Sequence, residues 1–278
     1  MRINKSSLRA TVRSVPFAVA ATLVLSGCNG TTFARVGEYQ RAQHDARVSA
    51  VAERQAETSS PPTQLTRPDE RDYVASAAYW GAQVQANPDS VEANLNFSRN
   101  LRMMGGAAQA VTVMKGMVLK APSDGEVLAE YGKALTAAER PDEAIGFLTQ
   151  AIQMSPNDWT LLSARGVAYD QASNHLAARA DYAQALAIDP DNGSVLTNMA
   201  LSYVLAGQPA QAEPILRRVV ARSDATAAMR QNLAMVLALQ GKADEASTIG
   251  RMDLAPEDAN NNVQLFTQFD VQTAKPSA

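Results

Sequence analysis

Small and apolar residues recur between Val91 and Asp258 with a constant period of about 34 residues, without an insertion or deletion. Two columns of small residues define this period. The first column consists of alanines: Ala110, Ala144, Ala178, Ala212 and Ala246. The second column consists of Ser98, Gly132, Gly166, Ala200 and Ala234. A fixed period of this length is typical of stacked supersecondary units, each too small to bury its own apolar face.

Each period predicts two helices joined by a short turn. In residues 125–158 the apolar residues Leu128, Tyr131 and Leu135 follow helical spacing and indicate a first helix. Pro141 favours the start of a second helix, because proline suits the first helical turn. Prolines that cannot continue a helix follow the second helices at one phase: Pro122, Pro156 and Pro190. The polar residues after them are predicted N-caps: Asp124, Asp158 and Asn192.

The N-terminal end of the array departs from this pattern. A helix predicted over about Arg71 to Ala86 keeps the phase of a second helix and has no first helix before it. Its Trp80 stands where the period places a large apolar residue, so we expect Trp80 to pack in the core. Inside the array, Arg165 and Arg230 occupy positions that are usually apolar.

The C-terminal end also departs from the pattern. Gly250 and Asp253 interrupt the apolar face of the last helix, so we expect the last repeat to act as a cap. The tail that follows contains Leu265, Phe266 and Phe269. We expect these side chains to fold back and cover the final helix.

The composition favours helices and gives no sign of catalysis. The chain has 278 residues, of which 46% are hydrophobic and only 5% aromatic, which favours closely packed helices over sheets. The formal net charge is −3, and the repeats carry no basic patch interleaved with aromatics, so we expect no nucleic-acid partner. They also lack a nucleophile beside a base, a phosphate-binding glycine loop and zinc-ligand spacing. We therefore predict no enzyme activity, cofactor, metal or small-molecule substrate.

The chain has two histidines, His44 and His175. Neither has a cysteine or carboxylate at the spacing of a metal site. We expect both to be solvated surface residues.

The order helix, turn, helix and proline, repeated with a period of about 34 residues, resembles the tetratricopeptide repeat. The large–small–large signature of that family runs through three repeats: Leu128, Gly132 and Leu135; Leu162, Gly166 and Tyr169; Leu196, Ala200 and Tyr203. The resemblance implies an all-α fold, a right-handed superhelical solenoid of about five helix–turn–helix repeats with one preceding helix.

In tetratricopeptide arrays the first helix of each unit lines the concave surface. The resemblance implies that its fifth, ninth and twelfth residues point into that groove: Leu95, Arg99 and Arg102; Ala129, Lys133 and Thr136; Ser163, Val167 and Asp170; Thr197, Leu201 and Val204; Gln231, Met235 and Ala238. Leu205 and Leu239 extend the apolar part of this set. The predicted partner-binding residues are Leu95, Arg99, Arg102, Lys133, Val167, Asp170, Leu201, Val204, Leu205, Met235 and Leu239.

This groove would be basic at the first repeat and apolar at the last two. Such a surface suits an amphipathic peptide with its apolar face turned inward. The alternative is that these residues pack against a neighbouring helix or the C-terminal tail. The Lys and Asn arrangement by which co-chaperone members of the family grip a C-terminal carboxylate is absent, so binding of heat-shock tails is not implied.

The N-terminus is typical of a secreted lipoprotein. Four cations come first: Arg2, Lys5, Arg9 and Arg13. The apolar run that follows, Val15 to Leu25, is too short to span a bilayer and reads with them as a signal peptide. It leads into Leu25-Ser26-Gly27-Cys28, which resembles the bacterial lipobox and holds the only cysteine of the chain.

The lipobox resemblance implies cleavage before Cys28 and its acylation, and several acyl chains hold a protein stably on a membrane. The residue after the cysteine is Asn29 and not an aspartate, which resembles lipoproteins that are sorted to the outer membrane. We therefore expect a lipid anchor on the periplasmic face of that membrane. The alternative is a simple cysteine after an ordinary signal peptide.

These patterns divide the chain into five parts. Residues 1–27 are the predicted lipoprotein signal peptide, and 28–71 a flexible tether rich in polar residues and proline. The tether is either a spacer that lifts the repeats off the membrane or an unremarkable arm. Residues 72–90 are a capping helix, 91–258 the repeat domain and 259–278 the C-terminal tail.

Three segments resemble a more specific family. In order they are residues 158–164 (DWTLLSA), 198–203 (NMALSY) and 230–234 (RQNLA). Together with the lipobox they look like the TadD-type lipoprotein of the Flp/Tad tight-adherence pilus assembly system, over roughly Tyr73 to Val263. This implies a non-catalytic outer-membrane scaffold, pilotin-like, that binds the secretin or another pilus component. The alternative is an adapter that regulates cell-envelope or peptidoglycan enzymes.

Overall fold

The computed structural model describes residues 72–267, which fold into twelve α-helices and contain no strand. The predicted signal peptide, Cys28, the tether, His44 and Phe269 lie outside these residues. The helices are α1 (Tyr73–Ala86), α2 (Val91–Met103), α3 (Ala107–Lys120), α4 (Gly125–Ala137), α5 (Pro141–Met154), α6 (Trp159–Gln171), α7 (His175–Ile188), α8 (Gly193–Leu205), α9 (Pro209–Val220), α10 (Ala227–Leu239), α11 (Ala243–Gly250) and α12 (Pro256–Thr267).

The helices repeat with the predicted period. The first helices α2, α4, α6, α8 and α10 begin one period apart, and the second helices α3, α5, α7, α9 and α11 do so too. Helix α1 begins one period before α3 and is therefore an isolated second helix, as the sequence predicts. Its Trp80 is buried, in agreement with the expected core role. The predicted all-α tetratricopeptide solenoid is confirmed.

The stacking of the helices distinguishes an inner and an outer layer. Each helix packs against its neighbours in the chain, and each first helix also packs against the first helix of the next repeat. The second helices of successive repeats make no comparable contact within the described residues. Because the first helices come closer together, they form the inner layer of the stack.

Each first helix begins with a side-chain cap at the same phase of the repeat. The capping residues are Ser90, Asp124, Asp158, Asn192 and Thr226. Each accepts a hydrogen bond from a backbone N–H in the first turn, which would otherwise lack an intrahelical partner. The three caps predicted from the sequence are thus confirmed.

The two helices of a repeat cross closest at the column of small residues. A Cβ atom on Gly132 would lie 2.6 Å from Cγ of Leu148, and one on Gly166 would lie 2.5 Å from Cε1 of Tyr182. Leu148 and Tyr182 are buried, so neither can move aside freely. The alanine column lies in the same interior, and all five alanines are 0% exposed. Small residues are required here because large side chains of the second helix fill the crossing.

The turn between the two helices has one backbone conformation in every repeat. Its second-last residue before the second helix has a positive φ in all five repeats: Gly105, Glu139, Ser173, Gly207 and Gly241. Glycine adopts this left-handed conformation without penalty, whereas Glu139 (φ 57°) and Ser173 (φ 60°) adopt it against their steric preference. The fold of the repeat therefore imposes the turn even where the sequence lacks glycine.

The two arginines at usually apolar positions form ion pairs. Arg165 donates from Nε and Nη2 to the carboxylate of Asp181, with both distances at 2.8 Å. Arg230 donates from Nε to Asp253 at 2.8 Å, and its second contact with Asp253 makes the pair bidentate. Asp253, which interrupts the apolar face of the last helix, is thus the partner of another exception to the pattern.

Helix α12 covers the last repeat. It packs against α10 and α11, and Ala259 and Val263 are buried in that contact. Phe266 packs against the core cluster of the last two repeats, which also contains Val263, while Leu265 is 36% exposed. A Cβ atom on Gly250 would lie 3.2 Å from Cβ of Ala259, so the glycine permits this close approach. The covering helix begins at Pro256, three residues before the predicted tail.

The crossing in the third repeat gives the first prediction. Gly166→Ala should be less stable than Gly146→Ala by about 1–3 kcal/mol, because the new methyl group overpacks the Tyr182 ring. Gly146 lies on the exposed side of α5, with nothing within 4 Å of the position that a Cβ would take, and serves as the matched control. Both substitutions gain the same helix propensity of about 1 kcal/mol. Urea unfolding followed by circular dichroism measures the difference, and equal midpoints would contradict this crossing.

Candidate partner-binding groove

The predicted groove positions lie on the inner layer but differ in accessibility. The fifth residue of the first helix is buried in four of the five repeats: Leu95, Ala129, Ser163 and Thr197. Leu95 belongs to the core cluster of the first two repeats. The fifth position therefore supports the groove from below, and only Gln231 is partly exposed.

The ninth residue is the accessible one. Arg99 is exposed, and Lys133, Val167 and Leu201 are partly exposed, whereas Met235 is 4% exposed in the fifth repeat. Along the stack these side chains change from cationic to apolar. We call the residues Arg99, Lys133, Val167 and Leu201 the ninth-position stripe.

The twelfth residue is divided between structural and accessible roles. Thr136, Asp170 and Ala238 are buried, and Arg102 and Val204 are partly exposed. Arg102 donates from Nε to Glu130 at 2.9 Å and from Nη2 to the same carboxylate at 3.2 Å. The ion pair holds the guanidinium of Arg102 beside the ninth-position stripe.

Glu130 was not singled out by the sequence pattern. It is 4% exposed on α4 and also accepts a hydrogen bond of 2.9 Å from Oγ of Ser98 on α2. The contact of Ser98 and Arg102 with one buried carboxylate joins the first two repeats. The only sequence signal for this contact was a carboxylate on an otherwise apolar helix face, with an arginine on the first helix of the preceding repeat.

Lys133 is a partly buried cation at this end of the groove. Burial lowers its pKa, and the nearby Arg102 and Arg99 lower it further, while Glu130 and Asp158 oppose them. Both carboxylates already have other partners, because Glu130 binds Arg102 and Asp158 caps α6. Within residues 72–267, Nζ of Lys133 makes no hydrogen bond. The charge of Lys133 is therefore disfavoured in the free protein.

Asp170 is a buried hydrogen-bond centre that joins three helices. Its carboxylate accepts from Tyr182 Oη at 2.9 Å and from Ser202 Oγ at 2.7 Å, and it lies 2.8 Å from Nδ1 of His175. Burial raises the pKa of Asp170, while these three hydrogen bonds lower it. Burial and the neighbouring Asp170 raise the pKa of Tyr182 well above its usual value. Asp170 thus links α6, α7 and α8 behind the groove.

The expectation for His175 was wrong. We expected a solvated surface residue, but its side chain is only 20% exposed, and its Nδ1 lies 2.8 Å from the carboxylate of Asp170. The two residues flank the turn between α6 and α7, which folds back and brings them together. The pair is local in sequence, five residues apart, but it does not have the spacing of a metal site.

The apolar end of the groove is only partly accessible to a partner. Leu201, Val204 and Leu239 pack against the core cluster formed by the last two repeats, yet all three stay partly exposed. Leu205 is also partly exposed. This end therefore combines packing between first helices with an accessible apolar surface.

Residues 72–267 contain no group of three or more His, Cys, Asp or Glu residues that could hold a metal ion. Over the same residues, no helix has the length and apolar character needed to cross a bilayer. A cavity of about 360 Å³ lies among Asp189, Asp191, Arg222 and Asp224 at the repeat ends. Asp224 there is paired with Arg222, and Asp189 accepts from Asn192.

The unpaired Lys133 gives the second prediction. Lys133→Met should raise the free energy of unfolding at pH 7, because it removes a charge that burial disfavours. In the wild type, folding releases the proton of Lys133 between its lowered pKa and the ordinary value of 10.5, so stability rises with pH in that window. The advantage of the variant should therefore shrink toward high pH.

Urea unfolding of both proteins between pH 7 and pH 11 measures this change. Lys115→Met, on the exposed side of α3, is the matched control and should show no such pH dependence. An advantage of Lys133→Met that stayed constant with pH would show that burial of the charge is not its cause.

Comparisons with known proteins agree with the observed helices. Two family profiles described as the tetratricopeptide repeat match residues 131–193 and 171–231. The search of curated proteins gave no significant match. A crystal structure of a thermophilic TPR protein from Thermus thermophilus has a TM-score of 0.54 and 21% sequence identity, covering 59% of this chain and 90% of that chain.

A second similar structure is the APC/C hetero-tetramer Cut9–Hcn1. Its TM-score is 0.53 at 12% sequence identity, over 72% of this chain and 36% of that chain. At these identities the likeness concerns the fold alone. The repeat profiles together match residues 131–231, and the fold shared with these structures is that of a tetratricopeptide-repeat solenoid.

Proposed function

We propose that this protein is a lipid-anchored scaffold of Flp/Tad pilus assembly on the periplasmic face of the outer membrane. Its groove holds a segment of the secretin or of another pilus component, which gives it a pilotin-like role. The observation that carries the binding part of the proposal is the ninth-position stripe. At this position the fold leaves one groove residue accessible in each of four consecutive repeats.

The stripe is suited to an extended or helical peptide. Lys133, Val167 and Leu201 stand one repeat apart on neighbouring first helices, and Val204 and Leu205 widen the apolar end. The buried fifth-position residues and the Asp170 hydrogen bonds hold these helices in place beneath it. A preformed surface of this kind loses little conformational entropy when a partner binds.

The pilus assignment is supported by sequence alone. The three segments at residues 158–164, 198–203 and 230–234 resemble the TadD-type lipoprotein, and Leu25-Ser26-Gly27-Cys28 resembles a lipobox. Acylated Cys28 would fix the N-terminal end of the chain to the membrane. The stretch between Cys28 and Asp72 would then set how far the repeats can reach from it.

An adapter for cell-envelope or peptidoglycan enzymes is the second candidate. It would use the same anchor and the same stripe, so the repeats do not separate the two functions. The identity of the protein captured by the groove separates them. A secretin or pilin supports the pilus function, and an envelope hydrolase or synthase supports the adapter.

The groove proposal predicts loss of the partner from a double variant. Leu201→Glu with Val204→Glu places two carboxylates at the apolar end and should abolish crosslinking capture of a pilus component from the native envelope. The matched control, Leu119→Glu with Leu176→Glu, introduces the same charges at positions on the second helices that are 78% and 76% exposed. Mass spectrometry of the crosslinked complexes reads out the capture. Equal capture by the groove variant, with helicity intact, would refute the groove.

The anchor predicts a separate effect of Cys28→Ser. Without the thiol, the chain cannot receive the diacylglyceryl group, so it should leave the outer-membrane fraction and piliation should fall. Fractionation by density gradient and electron microscopy of pili measure the two effects. A serine variant that stays in the outer membrane and supports normal piliation would exclude lipid anchoring through Cys28.

A further inference from the structure

The basic end of the groove holds three cations within mutual electrostatic reach. Arg102 on α2 is bound to Glu130, which lies about one turn before Lys133 on α4, and Arg99 lies about one turn before Arg102. Arg102 is bound to Glu130, whereas Arg99 donates one hydrogen bond of 3.3 Å to the neutral Asn96. Within residues 72–267, two of the three cations therefore have no carboxylate of their own.

The surrounding acids do not neutralise this end. Glu130 and Asp158 are held by Arg102 and by the N-terminus of α6. Glu92 and Glu126 lie on the same helices but two turns earlier, roughly 10 Å away along the axis. They are exposed to solvent, where screening weakens their attraction further. An anion arriving at Arg99 and Lys133 would thus meet a net positive charge.

Because Lys133 is partly buried, a bound anion would stabilise its charge more than it would stabilise an exposed lysine. Lys133 is a partly buried residue of α4 and carries its charge at a penalty in the free protein. A carboxylate beside Nζ would remove that penalty and gain a charge-assisted hydrogen bond. The same contact made on an exposed lysine would be worth much less.

We propose that Arg99 and Lys133, with Arg102 beside them, receive acidic side chains of the segment held in the groove. This inference rests on the proposed function, and it adds the chemistry and polarity of the partner. The segment is amphipathic and carries Asp or Glu at the end that meets repeats one and two. Its apolar side chains meet Val167, Leu201 and Val204 at the other end.

The length of the segment follows from the helix spacing. Packed helices lie about 8–10 Å apart, so the three steps from Arg99 to Leu201 span roughly 25–30 Å. A helical partner covers that distance with about 17–20 residues at about 1.5 Å each. The internal acidic side chains of such a segment, and not its C-terminus, supply the carboxylates.

A pair of synthetic peptides tests the proposal. Each is a fluorescein-labelled helix of about 20 residues with an amidated C-terminus, leucines along one face and either Glu or Gln at one end. Fluorescence anisotropy with the full repeat domain, on its tether, should show that the Glu peptide binds at least about fivefold more tightly than the Gln peptide at low salt. This preference should disappear near 1 M salt, where charges are screened within about 3 Å.

Two charge-matched variants assign the preference. Arg99→Gln with Lys133→Gln should bind both peptides as the wild type binds the Gln peptide. Lys115→Gln with Arg218→Gln removes the same charge from exposed positions on second helices and should keep the preference. If both variants lose it, net charge alone attracts the peptide and the proposed site is refuted.

The groove variant Leu201→Glu with Val204→Glu separates this inference from the proposed function. Equal binding of both peptides by the wild type, abolished by the groove variant, refutes the acidic site and leaves the groove in place. Binding that the groove variant does not weaken refutes the groove itself. Failure of the wild type to bind either peptide refutes the partner chemistry inferred here.

Discussion

Close contact between the two helices of each repeat is the constraint on which the rest of the structure depends. A small residue on the first helix faces a large buried side chain on the second, as Gly166 faces Tyr182. This contact fixes the angle and depth at which the helices meet. Because Tyr182 also donates a hydrogen bond to Asp170, which binds Ser202 of the next repeat, one crossing transmits its geometry to the next. The stack and the accessible stripe on its inner layer both follow from this repeated contact.

The inner layer divides its residues between support and recognition. Fifth positions such as Leu95 and Thr197 are buried, ninth positions such as Lys133 and Leu201 stay accessible, and twelfth positions serve both purposes. Side chains that hold neighbouring repeats together are therefore interleaved with side chains that can meet a partner. A substitution in the first set alters the shape of the groove, and one in the second set alters its chemistry.

The fold could be predicted well because the residues that define the period act within a single repeat. The caps Asp124, Asp158 and Asn192 and the small residues at the crossings each act within one repeat, so their spacing was enough to locate the helices. The groove was predicted less completely, because burial depends on the neighbouring repeat. Asp170 was placed in the groove by its position, but its carboxylate is engaged by side chains from two other helices. Charged pairs were harder still to predict. Arg230 and Asp253 were two separate exceptions to the apolar pattern, and only the distance of 2.8 Å between Nε of Arg230 and the carboxylate of Asp253 shows that they form a pair. Such pairs form across helices, where neither helical periodicity nor turn chemistry specifies which residues meet.

The start of α12 gives the two ends of the stack different properties. Helix α1 keeps the register of the repeats, whereas α12 begins at Pro256, five residues before the next first helix would begin. Its contact with α10 and α11 therefore closes the array out of phase, so a further unit could not continue the same lattice of helix crossings at this end. Growth of the array by duplication of repeats, or head-to-tail stacking of separate copies, would have to take place upstream of α12.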